Sequence, residues 1–389
     1  MRREVWMIDP VHLTPYYDAA LCQALVDVAW SVRQFTSPFL YDSAFPVART
    51  WAIDYLYGRG LNWRFWLSYP RLRRSLRVIM YLSGHRQLLQ QIEKQPPDVV
   101  HIQWSRLPKI DRILIERIRQ YGIPVVHTVH DVEPLFAHAP RQDLFEVYRI
   151  ADRLIVHTYV NRDALLTGDS GLDADRIQVV SHIAVDFPIP VGANREIARR
   201  KLGIPADAQV VLFFGTARAY KGLDLLVEAF KRAQRFRPDL WLLVAGLQER
   251  GVSIGGDRVV VHGQYVPSDR VWTYHLAADV AVFPYRRVSQ SGALITAMGF
   301  GLPVIVSDVG GLPETVRGNG WVVPCDSPEE LGDVLIEAVR DVERLRFMGK
   351  RSQRLVRDGH APEMIAAQTA ALYEELIRSR SVSYSALTV

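Results

Sequence analysis

The chain has 389 residues, enough for two domains of ordinary size. Its composition, 49% hydrophobic and 23% charged, excludes wholesale disorder, and two cysteines (Cys22 and Cys325) exclude a disulfide framework or a four-sulfur zinc site. A formal charge of +5 suits an anionic ligand or membrane surface without establishing either.

The first residues, Met-Arg-Arg-Glu-Val-Trp-Met-Ile-Asp, lack the apolar stretch of a secretory signal and read as a first strand. No segment reaches the roughly 20 apolar residues of a membrane-spanning helix. With so few cysteines, a reducing, cytoplasmic compartment is expected, with the protein soluble or peripheral at the membrane. Residues 55–92 hold seven arginines (Arg59, Arg64, Arg71, Arg73, Arg74, Arg77 and Arg86) and no acidic residue. Trp63, Phe65, Trp66, Tyr69 and Tyr81 are interleaved with them. This pattern suits an anionic membrane or a lipid-linked acceptor, with Arg71, Arg73, Arg74, Trp63 and Trp66 as contacts. It equally suits a solvated helix with a core-facing aromatic stripe. No nucleic-acid motif accompanies it.

Short apolar runs then alternate with helical stretches. Strands are predicted at 98–103, 124–129, 153–157 and 177–181, and a second series at 210–214, 240–245, 259–262, 280–283 and 304–307. Such runs are buried on both faces, as in parallel sheets covered by helices. Amphipathic stretches lie at 223–235 and 328–349. The fold class is therefore α/β, doubly wound. Two prolines and a glycine within 187–196 mark a linker, dividing an N-terminal domain, 1–190, from a C-terminal one, 191–389. The tail from Ser379 is polar and expected to fray.

Two motifs carry the chemistry. Phe213-Phe-Gly-Thr-Ala-Arg-Ala-Tyr-Lys-Gly222 follows a strand and precedes a helix. Gly215 admits a close backbone approach, and Arg218 and Lys221 bring two cations to a developing diphosphate charge. In the second motif, Ser289-Gln-Ser-Gly292 lies before a short helix whose first N–H groups form an anion cradle. Gly310-Gly311 makes another close-approach turn, with Glu314 in the first turn of the helix after it. Asp173-Ala-Asp175 sits in a connection and reads as a turn with solvated carboxylates. His127 and His130 differ in parity along their strand, so they do not form a metal pair. No Gly-x-Gly-x-x-Gly follows the first strand, which argues against a nicotinamide dehydrogenase.

These motifs together resemble the retaining glycosyltransferases of the GT-B fold, family 4, in a bacterial surface-polysaccharide branch. The resemblance is specific over 214–226 and the Gln-Ser-Gly and Gly-Gly-Leu-Pro-Glu segments. It is looser over residues 9–19, 98–104 and His130-Asp131. It implies two Rossmann-like domains facing across a cleft, with the last helix, about 362–378, packing back on the first. By the same resemblance Arg218 and Lys221 hold the diphosphate of a nucleotide sugar, and Ser291, Gly292 and Ala293 supply amides. His130 faces the donor sugar. No cofactor or metal is implied, and the acceptor is a glycan or a lipid-linked molecule. Many family members carry two glutamates seven residues apart; here Thr296 stands where the second is expected, leaving Ser289, Gln290 and Thr296 to bind hydroxyls. A nucleotide-sugar epimerase and an inactive nucleotide- or glycan-binding relative are the alternatives.

Overall fold

The computed structural model describes residues 2–39, 41–42, 49–58, 70–133, 140–167, 170–247 and 254–387. The chain divides into two units. The first takes in the residues up to Ser181, apart from 41–45, together with those from Pro362 onward; the second runs from His182 to Ala361.

The first unit holds β1 (Glu4–Asp9), β2 (Ser31–Thr36), β3 (Ala52–Asp54), β4 (Val99–Ile102), β5 (Val125–Thr128), β6 (Arg153–Val156) and β7 (Ile177–Val179). Its helices are α1 (Pro15–Asp27), α2 (Pro70–Lys94), α3 (Pro108–Gln120), α4 (Arg141–Ile150) and α5 (Tyr159–Leu166). All strand pairs are parallel, in the order β3-β2-β1-β4-β5-β6-β7.

The second unit holds β8 (Gln209–Phe214), β9 (Leu240–Ala245), β10 (Val259–His262), β11 (Val280–Phe283), β12 (Val304–Ser307) and β13 (Gly320–Val323), ordered β10-β9-β8-β11-β12-β13 and again parallel. Around them lie α6 (Arg195–Leu202), α7 (Leu223–Gln234), α8 (Val271–Ala277), α9 (Gly292–Gly299), α10 (Pro328–Ala338) and α11 (Val342–Gly359). The last helix, α12 (Pro362–Leu387), belongs to the first unit.

Sequence explains the layering. Strands such as β4 (Val-Val-His-Ile) and β11 (Val-Ala-Val-Phe) are buried at every position, as helices on both faces require. Helix α7 buries Leu223, Leu226, Ala229, Phe230 and Ala233, a spacing of three and four that makes one apolar stripe. Burying Leu226 or Phe230 contributes about 1.5–3 kcal/mol each. Against that stripe α10 brings Gly332, whose missing side chain admits the Ala229 carbonyl oxygen at 3.3 Å from the Cβ position.

Several boundaries differ from expectation. The division falls at Ser181, ahead of the Pro-rich 187–196 stretch. The Ala184 N–H already donates to the His360 carbonyl at 2.9 Å, and Phe187 packs on the second core. The amphipathic run 328–349 is two helices, because the Asp341 carboxylate accepts the Arg344 N–H and starts a new one. Ser379 onward is helix to Leu387 and not a frayed tail; Arg380 in it donates to both Asp152 oxygens at 2.9 Å.

Candidate functional site

In each sheet the chain order reverses between two neighbouring strands, β8 and β11 in the second unit and β1 and β4 in the first. Open α/β sheets bind ligands beside that point, outside the carboxyl ends of the strands.

In the second unit both predicted motifs leave the sheet there. Gly215 follows β8, and one tight turn at Ala219–Lys221 delivers Lys221. The Lys221 amine lies 3.2 Å from the position a Cβ on Gly215 would take, and 5.2 Å from the centre of the Tyr285 ring in the loop after β11. Arg218 is half-buried just before the turn. Gly222 closes it with φ +63°, and a Cβ there would stand 1.9 Å from the Pro284 carbonyl oxygen. The two loops thus touch backbone to backbone, and only glycine fits.

Arg286, which the sequence reading passed over, locks the same junction. Its N–H donates to the Tyr220 carbonyl at 2.7 Å, and its guanidinium donates to the Ala219 carbonyl, Asp224 and Asp326. Arg-Arg beside Tyr285 was the available signal, but its partners lie about 40–70 residues away.

Beyond Arg286, Ser289 and Ser291 are buried. Ser291 caps α9, its Oγ accepting the Leu294 N–H at 3.3 Å. Gln290 Oε1 accepts the Ser291 N–H at 2.6 Å, so a side-chain oxygen occupies one amide of the expected cradle. Gly292 lies against the His182 ring, whose Cε1 would be 3.1 Å from a Cβ there, and Ala293 follows it in α9. The Thr296 hydroxyl donates back to the Gly292 carbonyl at 2.9 Å. Gly310 packs against Val288, and the Gly311 N–H donates to the Ser289 carbonyl at 2.9 Å. Glu314 sits in a three-residue turn, Pro313–Thr315, and not in the regular helix expected.

Burial pushes the Lys221 amine below the usual lysine range; Tyr220 opposes the shift and the Arg218 charge adds to it. The unfolded chain therefore holds this proton more tightly, so the unliganded fold gains stability as pH rises through the depressed value. A diphosphate held at this amine, as proposed below, would reverse the preference. Nucleotide affinity is expected to weaken as pH climbs just below the ordinary lysine range, with proton uptake on binding; calorimetric titration in buffers of different ionisation enthalpy reads both.

In the first unit, His130 follows β5. Its ring stacks on Trp104 at 4.8 Å and 15° and meets Tyr17 edge-on at 4.8 Å. Nε2 donates to Gln103 Oε1 at 2.9 Å, and Nδ1 faces His157 Nε2 at 3.3 Å. His127 points elsewhere, to Ser105 Oγ at 3.0 Å and to the Thr128 carbonyl, and burial lowers its pKa to about 4. A cavity of about 30 Å³ is lined by both histidines, Trp104, Arg106, Asp131 and Tyr148, among others. Among the described residues no three His, Cys, Asp or Glu side chains are grouped to hold a metal. Asp173 caps the Asp175 N–H in an exposed turn, as its context predicted.

The loop after β1 is built on Asp9, whose carboxylate accepts the N–H groups of Val11, His12 and Leu13 at 2.8–3.1 Å. Buried Asp18 hydrogen-bonds to Asp9, and burial with the Asp9 charge pushes it well above the carboxylate range. Asp18 Oδ1 accepts the Thr14 hydroxyl at 3.3 Å, while Oδ2 has no hydrogen-bond partner. A raised carboxyl loses native stability as pH rises through its folded value. Asp18→Asn is therefore expected to match the parent's urea midpoint in acid, below the ordinary carboxylate range, and to flatten the decline the parent shows as pH rises above that range.

Gln103, His130 and His157 each stand one or two places past a strand end, after β4, β5 and β6. That shared position was the signal for Gln103 and His157. Trp63 and Trp66 lie outside the described residues, and Arg71, Arg73 and Arg74 fall in the first turns of α2, where no side chain is described. Further along α2, Tyr81 is core: its hydroxyl donates to Asp111 at 2.6 Å, beside His85 at 3.0 Å from the same oxygen. The other face exposes Val78, Ile79 and Leu82 beside Arg77 and Arg86.

Residues 20–183 match the model for glycosyltransferase family 4, and residues 194–355 the model for glycosyl transferases group 1. A D-inositol 3-phosphate glycosyltransferase of Mycobacteroides abscessus is 30% identical over 250 residues, 56% of this chain and 54% of that relative. The chain spans 54–62% of the length of the first four curated relatives it matches, all of that name, which does not single out the surface-polysaccharide branch. Among solved structures, a sucrose-phosphate synthase from Thermosynechococcus elongatus superposes with a TM-score of 0.74 at 22% identity, covering 97% of this chain and 100% of that one. HepE of Anabaena, solved with UDP-glucose, gives 0.72 at 15%, covering 96% and 99%. The protein carries a family 4-like glycosyltransferase domain followed by a group 1 glycosyltransferase domain, in the GT-B fold.

Proposed function

We propose that the chain transfers a hexosyl unit from a nucleotide-diphosphate sugar to an acceptor hydroxyl, with retention at the anomeric carbon and no required metal. The observation that carries this reading is the junction of the β8 and β11 loops, where Lys221 reaches Tyr285 beside Arg218 and the start of α9. Two cations and a helix N-terminus at a switch point suit a leaving diphosphate. The Gln290 oxygen on the Ser291 amide stands in for the anionic oxygen that would displace it. Retention would follow from front-face attack, the departing phosphate taking the acceptor proton, so the protein supplies mainly position. Were the reaction inverting, Asp131 would be the base.

Thermal denaturation against uridine, guanosine and adenosine diphosphates and their sugars tests the donor site, and acceptor-dependent nucleotide release tests the transfer. The HepE complex makes the uridine series the first choice. No shift with any nucleotide overturns the reading, and conversion of the sugar without an acceptor makes the protein an epimerase.

For the acceptor we propose a lipid-linked or membrane-proximal glycan. The support is the exposed Val78, Ile79 and Leu82 beside Arg77 and Arg86. No helix among the described residues is long and apolar enough to cross a membrane. Sedimentation with anionic vesicles is expected, weakening as salt rises; absence of binding at every salt concentration overturns the membrane contact.

A further inference from the structure

We propose that Tyr285 is a further residue of the donor site: its ring holds the Lys221 ammonium in place, and its hydroxyl donates a hydrogen bond to an oxygen of the bound diphosphate. This role rests on the reading of the β8 and β11 loops as the donor-binding junction.

Tyr285 stands two residues past the end of β11 and is 1% exposed. Phe283, the last residue of that strand, meets its ring edge-on at 5.9 Å. A phenylalanine would fill the same space, so the one atom that distinguishes tyrosine needs a reason. Among the described residues no donor or acceptor meets the Tyr285 hydroxyl at hydrogen-bond distance and angle. A buried polar group left unpaired costs stability, and native proteins keep few of them. Tyrosine at this place makes sense if the acceptor for its hydroxyl comes with the ligand.

The neighbours define what that acceptor is. Lys221 lies over the ring, its amine 5.2 Å from the centre, so the ring face partly replaces the water the ammonium has lost. Burial pushes the phenol up to about 12, and Ser291, the cap of α9, is near enough to oppose that shift. The hydroxyl therefore belongs to the corner where the N–H groups of α9 begin, and it is a neutral donor at neutral pH. Asp224 and Asp326, acids of the same junction, are both held by Arg286 at 2.6–2.8 Å. An amine, helix amides and a phenol O–H converge on one kind of ligand group, an anion with several oxygens. A diphosphate has that form. A sugar hydroxyl could accept from the phenol but would do nothing for the buried ammonium.

Calorimetric titration of UDP, GDP and ADP into the full chain, with urea unfolding of the unliganded protein, tests both contacts. Tyr285→Phe keeps the ring and drops the unpaired hydroxyl. It is expected to raise the unliganded urea midpoint and to weaken diphosphate binding about tenfold. Tyr285→Leu removes the ring as well and is expected to weaken binding about a hundredfold, so the Phe variant recovers part of that loss. A hydroxyl that merely supported the Ser291 cap would give the opposite pattern in the Phe variant, a lower midpoint with unchanged affinity, and that result overturns the diphosphate contact. Equal losses in the Phe and Leu variants overturn the hold on Lys221. A parent that binds diphosphate no more tightly than its Phe variant overturns the contact and leaves the donor site standing. A parent that binds none of the three overturns the donor site, and this role for Tyr285 with it.

Discussion

A Lys221→Ala chain is expected to melt at the same temperature with and without a nucleoside diphosphate. The parent, at a ligand concentration of 100 times Kd, gains about 2.7 kcal/mol, which for 389 residues unfolding together is a rise of roughly 3 °C. The difference is assigned to one amine because of where it stands. Lys221 is held between Gly215 and the Tyr285 ring, and nothing else described projects a lysine into that junction. The unliganded variant should be close to the parent in stability, because the buried ammonium already carries a desolvation cost. Turnover is expected to fall about 10²–10³-fold, the usual loss when one stabiliser of a developing anion is removed. A retained thermal shift in the variant would place the diphosphate elsewhere.

Gly222→Ala should fail differently. Its φ of +63° already disfavours an L side chain by about 1–2 kcal/mol, and the new Cβ would also sit 1.9 Å from the Pro284 carbonyl oxygen. Backbone cannot swing aside as a side-chain tip can, so the two loops must separate or the start of α7 must unwind. A loss on the order of 3–5 kcal/mol is expected, read as a lower urea midpoint, with loss of nucleotide binding even where the variant is folded. Gly192→Ala is the control. It shares a positive φ, +79°, but has nothing within 4 Å, so only the smaller conformational cost should appear. Equal losses in the two variants would show that the loop contact contributes nothing.

The second sheet was legible because its inner strands are continuous apolar runs, and a run such as Leu-Trp-Leu-Leu-Val-Ala says strand without help from neighbours. β2 was not. It carries Arg33 and Gln34, which make sense only once Asp54 and Trp51 arrive beside them, at 2.6 and 3.1 Å. The same distinction divides the site. Arg218 and Lys221 sit in one local motif, so sequence placed them. The set around His130 is assembled from the ends of three parallel strands and from α1, and no short window contains it. Proline and glycine marked where the linker is bent, but the boundary is set by which core takes up Phe187.

The first unit is discontinuous, and that has a consequence for synthesis. Its sheet is complete once residue 181 has left the ribosome, yet Tyr373, which bonds buried His101, and Arg380, which pairs with Asp152, emerge about 190–200 residues later. At about 5–20 residues per second the gap is roughly 10–40 s. Residues 182–361 have all their own partners before then. The unit begun first is therefore the one finished last, and a nascent chain stalled before Pro362 carries a complete second unit beside a first unit with His101 and Asp152 waiting for their partners.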